Sequence, residues 1–190
     1  SVSYSFDNDT AETKTVNVWF RDAAGNVSGS VSDAIELQYV ASWTQQLGTS
    51  SWGRVDIATD SSGNVYVTGN TTGDLDGSNA GSYDLFVVKY DSGGVKQWTQ
   101  QLGTSSWDVG NGITHDSSGN IYVTGVTNGG LDGNTSAGSS DIFVVKYNSS
   151  GVKQWTKQLG TSSNNSGQGI TIDSSGNVCV TGFTEGGLDG

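Results

Sequence analysis

The decapeptide DSSGNVYVTG at 60–69 returns as DSSGNIYVTG at 116–125 and as DSSGNVCVTG at 173–182. The equivalent aspartates Asp60, Asp116 and Asp173 are separated by 56 and 57 residues, and Leu75, Leu131 and Leu188 keep the same steps. Self-similarity at this period restricts the chain to arrays of one supersecondary unit, each too small to bury its own apolar face and therefore stacked on its neighbours. Solenoids and propellers are the candidates, and the secondary structure within one period decides between them.

Four strand signals fill the middle copy, at 112–115, 121–124, 142–147 and 152–156, each bounded by Gly, Ser, Asn or Asp. No helical periodicity interrupts them. Twenty-nine glycines, no proline and 33% hydrophobic residues fit a turn-rich all-β chain. Four short antiparallel strands per unit is the content of a propeller blade. The third strand, LFVVKY at 85–90 and IFVVKY at 142–147, is apolar on both faces, as suits a strand sandwiched between neighbours. The fourth, VKQWTQQL at 95–102 and VKQWTKQL at 152–159, is polar and carries Lys96, Lys153 and Lys157, which suits an exposed outer edge. Trp43, Trp98 and Trp155 recur there and read as packing between units.

The pattern DSSGN-(V/I)-Y-V-TG, then LDG, then D-(L/I)-FVVKY, then G-V-K-Q-W-T resembles the β-propeller repeat of bacterial extracellular and surface proteins, often described as seven-bladed. The resemblance covers 42–190. It implies an exported bacterial origin, an extracellular or cell-surface location and no assigned activity. Two full blades and fragments do not close a ring, so further blades of the same chain are expected. The absence of methionine and a start inside strand-like sequence also read as an excerpt of a longer chain.

Residues 1–41 have no later copy. TVNVWFRDAAGNVS at 15–28 alternates and then turns, and VSDAIELQYV at 31–40 supplies a second strand. The pair resembles the C-terminal hairpin of a bacterial immunoglobulin-like or fibronectin-like sandwich, with Trp19 in its core. The expected organisation is therefore a sandwich fragment at 1–41 and propeller repeats at 42–190.

DSSGN reads as a tight turn in which Asp60 accepts backbone N–H bonds and Gly63 takes positive φ. DSGGV at 91–95, NSSGV at 148–152 and DAAGN at 22–26 share its chemistry, and recurrence at different hairpins favours a turn over a binding site. Calcium is weighed at the LDG loops, where Asp76, Asp84, Asp132 and Asp141 recur as carboxylates and Gly-rich carbonyls and water would complete a shell of six to eight oxygens. Loop-capping hydrogen bonds are the competing reading. No other cofactor is expected.

Catalysis finds little footing. The single histidine, His115, aligns with Thr59 and Ile172, and no serine or cysteine sits in a nucleophile motif. Cys179 stands where the other copies have Tyr66 and Tyr122, a drifted structural position. A net charge of −11 disfavours nucleic acid and anionic membrane surfaces, and no apolar run is long enough to insert in a bilayer.

Variation between copies points to one face. The fourth-to-first connections read GTSSWGRVD at 48–56, GTSSWDVGNG at 103–112 and GTSSNNSGQG at 160–169, constant at the start and divergent afterwards. Trp52, Arg54, Trp107, Asp108, Asn111, Asn164, Asn165 and Gln168 are the candidate contacts for a glycan or protein ligand, through aromatic stacking and hydrogen bonds to hydroxyls; caps on an inter-blade core are the competing reading for the tryptophans. The expected function is a non-enzymatic secreted or surface module that binds or adheres through this face. The alternatives are an architectural spacer and a propeller appended to a hydrolase outside this segment.

Overall fold

The computed structural model describes residues 13–18 and 31–36 as backbone, together with 43–45, 47 and 54–187. The chain divides into two units, Ser1–Trp43 and Thr44–Gly190. In the first unit, β1 (Thr13–Val18) pairs antiparallel with β2 (Val31–Glu36), with Val16 opposite Asp33.

The second unit is a succession of antiparallel sheets in chain order. The first contains β3 (Asp56–Thr59), β4 (Val65–Thr71), β5 (Asp84–Tyr90) and β6 (Lys96–Leu102), in the order β3-β4-β5-β6. The second repeats it with β7 (Asp108–His115), β8 (Ile121–Thr127), β9 (Asp141–Tyr147) and β10 (Lys153–Leu159). Then β11 (Asn165–Ile172) pairs with β12 (Val178–Thr184). A single 3-10 turn at Leu131–Gly133 is the one helical element among the described residues. The four predicted strands of the repeat are present, and the first, second and fourth run beyond their apolar signals.

The physical reason is visible in β10. Its polar residues face solvent, but Thr156 is buried and Gln158 half-buried, so pairing with β9 continues to Leu159 opposite Ile142. In β5, every residue except Lys89 is buried. Leu85 and Val87 form one apolar cluster with Ile121, Val123, Phe143, Val145 and Tyr147 of the next sheet and with Leu131 of its 3-10 turn. That cluster holds the sheets face to face, and burial of each large aliphatic or aromatic side chain contributes roughly 1.5–3 kcal/mol.

Polar contacts fix how neighbouring sheets register. Asp108 N–H donates to Tyr83 O at 2.9 Å and Asn165 N–H to Ser140 O at 3.0 Å, the same bond one repeat apart. Ile113 N–H donates to Asp56 Oδ2 at 2.9 Å. The Trp98 indole N–H donates to Ser149 O at 3.2 Å, and a Cβ at Gly151 would stand 2.8 Å from its ring. The recurring tryptophan of the fourth strand thus packs against the turn of the following sheet.

The DSSGN segments are turns. At each, Oδ1 of the aspartate accepts two backbone N–H bonds, from Ser62 and Asn64, from Ser118 and Asn120, and from Ser175 and Asn177. Gly63, Gly119 and Gly176 have φ of 78°, 76° and 84°, a region where a side chain is strained. Oδ2 accepts the next asparagine amide at 2.8 Å in all three copies. In two copies it also accepts a tyrosine hydroxyl, from Tyr66 at 2.9 Å and from Tyr122 at 3.0 Å. The third copy has Cys179 at that position, and it is exposed.

These bonds make the turns acid-sensitive. Partial burial opposes ionisation of Asp60, but the Asn64 amide, the Tyr66 hydroxyl and two backbone N–H groups outweigh it and hold its pKa at about 2. Asp116 is lowered against the same opposing burial, and Asp173 chiefly by the Asn177 side chain. A folded pKa below the unfolded value near 4 contributes stability that is complete above about pH 4 and lost as pH falls toward 2. Tyr66→Phe removes one bond to the ionised form, so it is expected to melt lower than wild type at neutral pH and to lose less between about pH 4 and 2, the two melting curves converging in acid.

Candidate functional site

Antiparallel order places the fourth-to-first and second-to-third connections on one face and the DSSGN turns on the other. On the first face, Trp107 lies in the connection from β6 to β7 and stays 55% exposed, although it is bracketed by backbone pairing. It forms a parallel bridge with Tyr83, and Asn128 N–H donates to its carbonyl at 2.9 Å. The rings of Tyr83 and Trp107 meet edge to face, with centroids 5.4 Å apart and planes at 89°. The exposed indole is thus fixed in place by a second ring and two backbone attachments.

One repeat later, Asn164 takes the tryptophan's place. It is exposed, and its amide donates to Glu185 Oε2 at 2.8 Å. Trp52 lies outside the described residues. Arg54 is exposed and its guanidinium donates to Gln168 Oε1. Asn111 and Gln168 occupy matching irregularities, between Gly110 and Gly112 and between Gly167 and Gly169. Both are half-buried, and the Asn111 amide donates to Gly167 O at 2.9 Å, across to the next sheet. These two amides are engaged in the junction of the first strands.

Asp108 and Asn165, expected as contact residues, are instead fully buried at the starts of β7 and β11. Asp108 Oδ2 accepts the N–H of Thr104 at 2.6 Å and its hydroxyl at 2.8 Å, while Thr127 bonds Oδ1. Asn165 holds the equivalent place: its Oδ1 accepts the Thr161 and Thr184 hydroxyls, and its Nδ2 donates to Ser140 O at 2.9 Å and Ser163 O at 3.1 Å. The Asp108 side chain thus pins the GTSS connection to its own sheet, and that of Asn165 also reaches Ser140 beside the preceding sheet.

Burial raises the pKa of Asp108 against the threonine bonds that lower it, and the charge of Asp84 adds to the rise. A folded pKa above the unfolded one favours the protonated state, so its stability contribution is present at low pH and lost as pH rises. Asp108→Asn reproduces the uncharged side chain of the third copy. It is expected to raise the melting temperature at pH 7 by a few °C, with a gain that shrinks as pH falls. A lower melting temperature at every pH would mean that the Thr104 bonds require the charge.

The recurring carboxylates of the calcium reading are divided by burial. Asp84 and Asp141 are buried, whereas Asp76 is exposed and Asp132 pairs with Lys153. Asp84 Oδ2 accepts Ala80 N–H and the Gln101 amide, each at 2.9 Å; Asp141 Oδ2 accepts Ala137 N–H and the Gln158 amide, each at 2.7 Å. The same glutamines accept Leu75 N–H at 2.8 Å and Leu131 N–H at 3.0 Å through Oε1. Gln101 and Gln158 are therefore latches between the LDG loop and the buried aspartate. The sequence carried a signal for them: TQQL, TQQL and TKQL keep the second glutamine while the residue before it varies. Among the described residues, no three His, Cys, Asp or Glu side chains form a metal-binding group.

The model of the β-propeller repeat family matches residues 42–76, 97–132 and 154–189, more than half of the chain. The chain belongs to the β-propeller repeat family. The second and third matches each begin in the outermost strand of one blade, β6 or β10, and continue into the first two strands of the next. A family unit therefore joins adjacent propeller blades covalently, and Gln101 or Gln158 and the GTSS connection that follows lie inside it. Among curated proteins, the chain is 28% identical over 121 residues to the uncharacterized WD repeat-containing protein L264 of Acanthamoeba polyphaga mimivirus, covering 55% of this chain and 9% of that protein. It is 27% identical over 147 residues to regulatory protein FlaEY of Caulobacter vibrioides, covering 70% of this chain and 15% of that one. The chain thus spans a small part of either relative.

On the opposite propeller face, His115 joins two blades. Its Nε2 lies 3.0 Å from Thr59 O and its Nδ1 3.2 Å from Asp116 O. The ring thus bridges the carbonyls of Thr59 in one blade and Asp116 in the next. Among the described residues, no helix is long and apolar enough to cross a membrane.

Proposed function

We propose that this propeller segment is a non-enzymatic binding module that engages a glycan or protein through the face carrying the GTSS and LDG connections. The observation that carries the reading is the exposed Trp107 ring, held edge-on by Tyr83. The DSSGN face repeats the same bonds from copy to copy, whereas the long-loop face changes from Trp107 to Asn164 at an equivalent position. Variation on a fixed scaffold is where recognition accumulates. An indole face stacks on the C–H face of a sugar or on a partner's apolar side chain, with neighbouring serines and asparagines supplying hydrogen bonds.

An extracellular or cell-surface location and a bacterial origin are part of this proposal. They rest on the resemblance of the repeat, together with the reading of 1–41 as the last hairpin of an immunoglobulin-like sandwich. The antiparallel pairing of β1 and β2 is compatible with that hairpin.

A glycan panel and a panel of surface proteins, probed with wild type and Trp107→Ala, test the proposal. Loss of an aromatic anchor is expected to weaken binding by about 1 kcal/mol or more, roughly fivefold, with the melting temperature little changed. A Trp107→Ala protein that melts lower but binds equally well would make the ring a core cap.

A further inference from the structure

Two equivalent junctions in this molecule differ in a correlated way. In each, the residue before a third strand bridges the residue before the next first strand, Tyr83 with Trp107 and Ser140 with Asn164. In each, the residue that follows either partner is buried: Asp84 and Asp108 at the first junction, Asp141 and Asn165 at the second. The first junction therefore combines two aromatic rings with two carboxylates. The second has neither ring, and one of its carboxylates is an amide.

The electrostatics differ accordingly. Burial opposes ionisation of Asp108, and the charge of Asp84 adds to that opposition. Among the described residues neither carboxylate pairs with a lysine or arginine, the one salt bridge being that of Lys153 with Asp132. Asp84 Oδ1 also has no hydrogen-bond partner among them. At the second junction the neutral Asn165 amide donates to Ser140 O at 2.9 Å instead. Negative charge at the first junction thus has no counter-ion, and the surface beside it is the exposed indole of Trp107, held edge to face by Tyr83. An indole face attracts a cation, and a buried carboxylate acts on its neighbourhood through a low dielectric.

We infer that the Tyr83–Trp107 platform takes a cationic group, the guanidinium or ammonium of a basic segment on a partner protein. This inference rests on the reading of the GTSS and LDG face as the binding face, and it narrows the ligand of that face. Trp107 supplies the cation–π contact, while Asp84 and Asp108 attract the charge from the protein interior without touching it. The chain's net charge of −11 favours the approach of a basic segment. The Ser140–Asn164 junction lacks both rings and the second carboxylate, and is the internal control.

The probe is hexa-arginine, with hexacitrulline as its uncharged isostere, titrated into the 190-residue chain at pH 8 and low ionic strength. Hexa-arginine is expected to bind saturably and roughly tenfold or more tighter than hexacitrulline. Trp107→Asn and Asp108→Asn each install the residue type of the next junction, and each is expected to weaken hexa-arginine binding about threefold or more. Asp108→Asn is expected to melt no lower than wild type, which separates its loss of affinity from a loss of fold. Undiminished binding in either variant would overturn the inference, because attraction to the net charge would then account for it. So would equal binding of hexacitrulline, or no binding of hexa-arginine up to about 1 mM. A neutral or acidic ligand from the glycan and protein panels that requires Trp107 would leave the binding face standing and overturn the cationic ligand alone.

Discussion

Gly125→Ala is expected to destabilise the propeller by roughly 3 kcal/mol or more, and Gly125→Val to prevent the second blade from folding. A Cβ at this position would stand 1.8 Å from Val109 O and 2.9 Å from the Phe143 ring, so either the β7 backbone or the interior ring must move. The equivalent Gly69 supplies an internal control. Its nearest atoms, Arg54 O and Val55 Cγ1, lie 3.0 Å from a Cβ, and Val55 is largely exposed and free to shift. Gly69→Ala is therefore expected to cost about 1 kcal/mol. Urea unfolding of both variants checks the contrast; equal losses would mean that the close approach of Val109 to β8 does not limit stability.

Asp141→Ala is expected to cost roughly 2–4 kcal/mol, because the Gln158 amide and Ala137 N–H would lose their acceptor inside the protein. Asp141→Asn keeps an acceptor oxygen for those donors and should cost less. The other carboxylate oxygen has no hydrogen-bond partner among the described residues and sits where a Cβ on Gly160 would be, 1.9 Å away. The latch account expects the Asp141→Ala loss to be the same with millimolar calcium and with chelator. A loss that appears only when calcium is present would make Asp141 a metal ligand.

The repeat made the architecture legible because its turns are local chemistry. An aspartate followed by Ser-Ser-Gly-Asn specifies its own hydrogen bonds, and Asp60, Asp116 and Asp173 make them in the same pattern. Long-range burial left no such mark. Asp108 and Asn165 follow a constant GTSS segment and differ between copies, which resembles the variation of contact residues. The variation instead reflects two chemically related ways of bonding the same threonines at a buried junction. Asn111 and Gln168 also stand at variable positions, and they occupy matching strand irregularities that only the paired backbone reveals. The Gln101 and Gln158 latches were readable from their persistence beside a changing neighbour. Their partners, 17 residues away in sequence at Asp84 and Asp141, required the fold.

The proposed division is that the DSSGN face carries repeated hydrogen-bonded turns, whereas the GTSS and LDG face, which also joins neighbouring sheets, presents Trp107 to a ligand. Amide hydrogen exchange of the full chain, with and without the tightest ligand found in the glycan and protein panels, tests it most directly. The account predicts that protection concentrates in 74–83, 103–107 and 128–136 and disappears with Trp107→Ala. Protection concentrated in 60–64 and 116–120, unchanged in that variant, would contradict it.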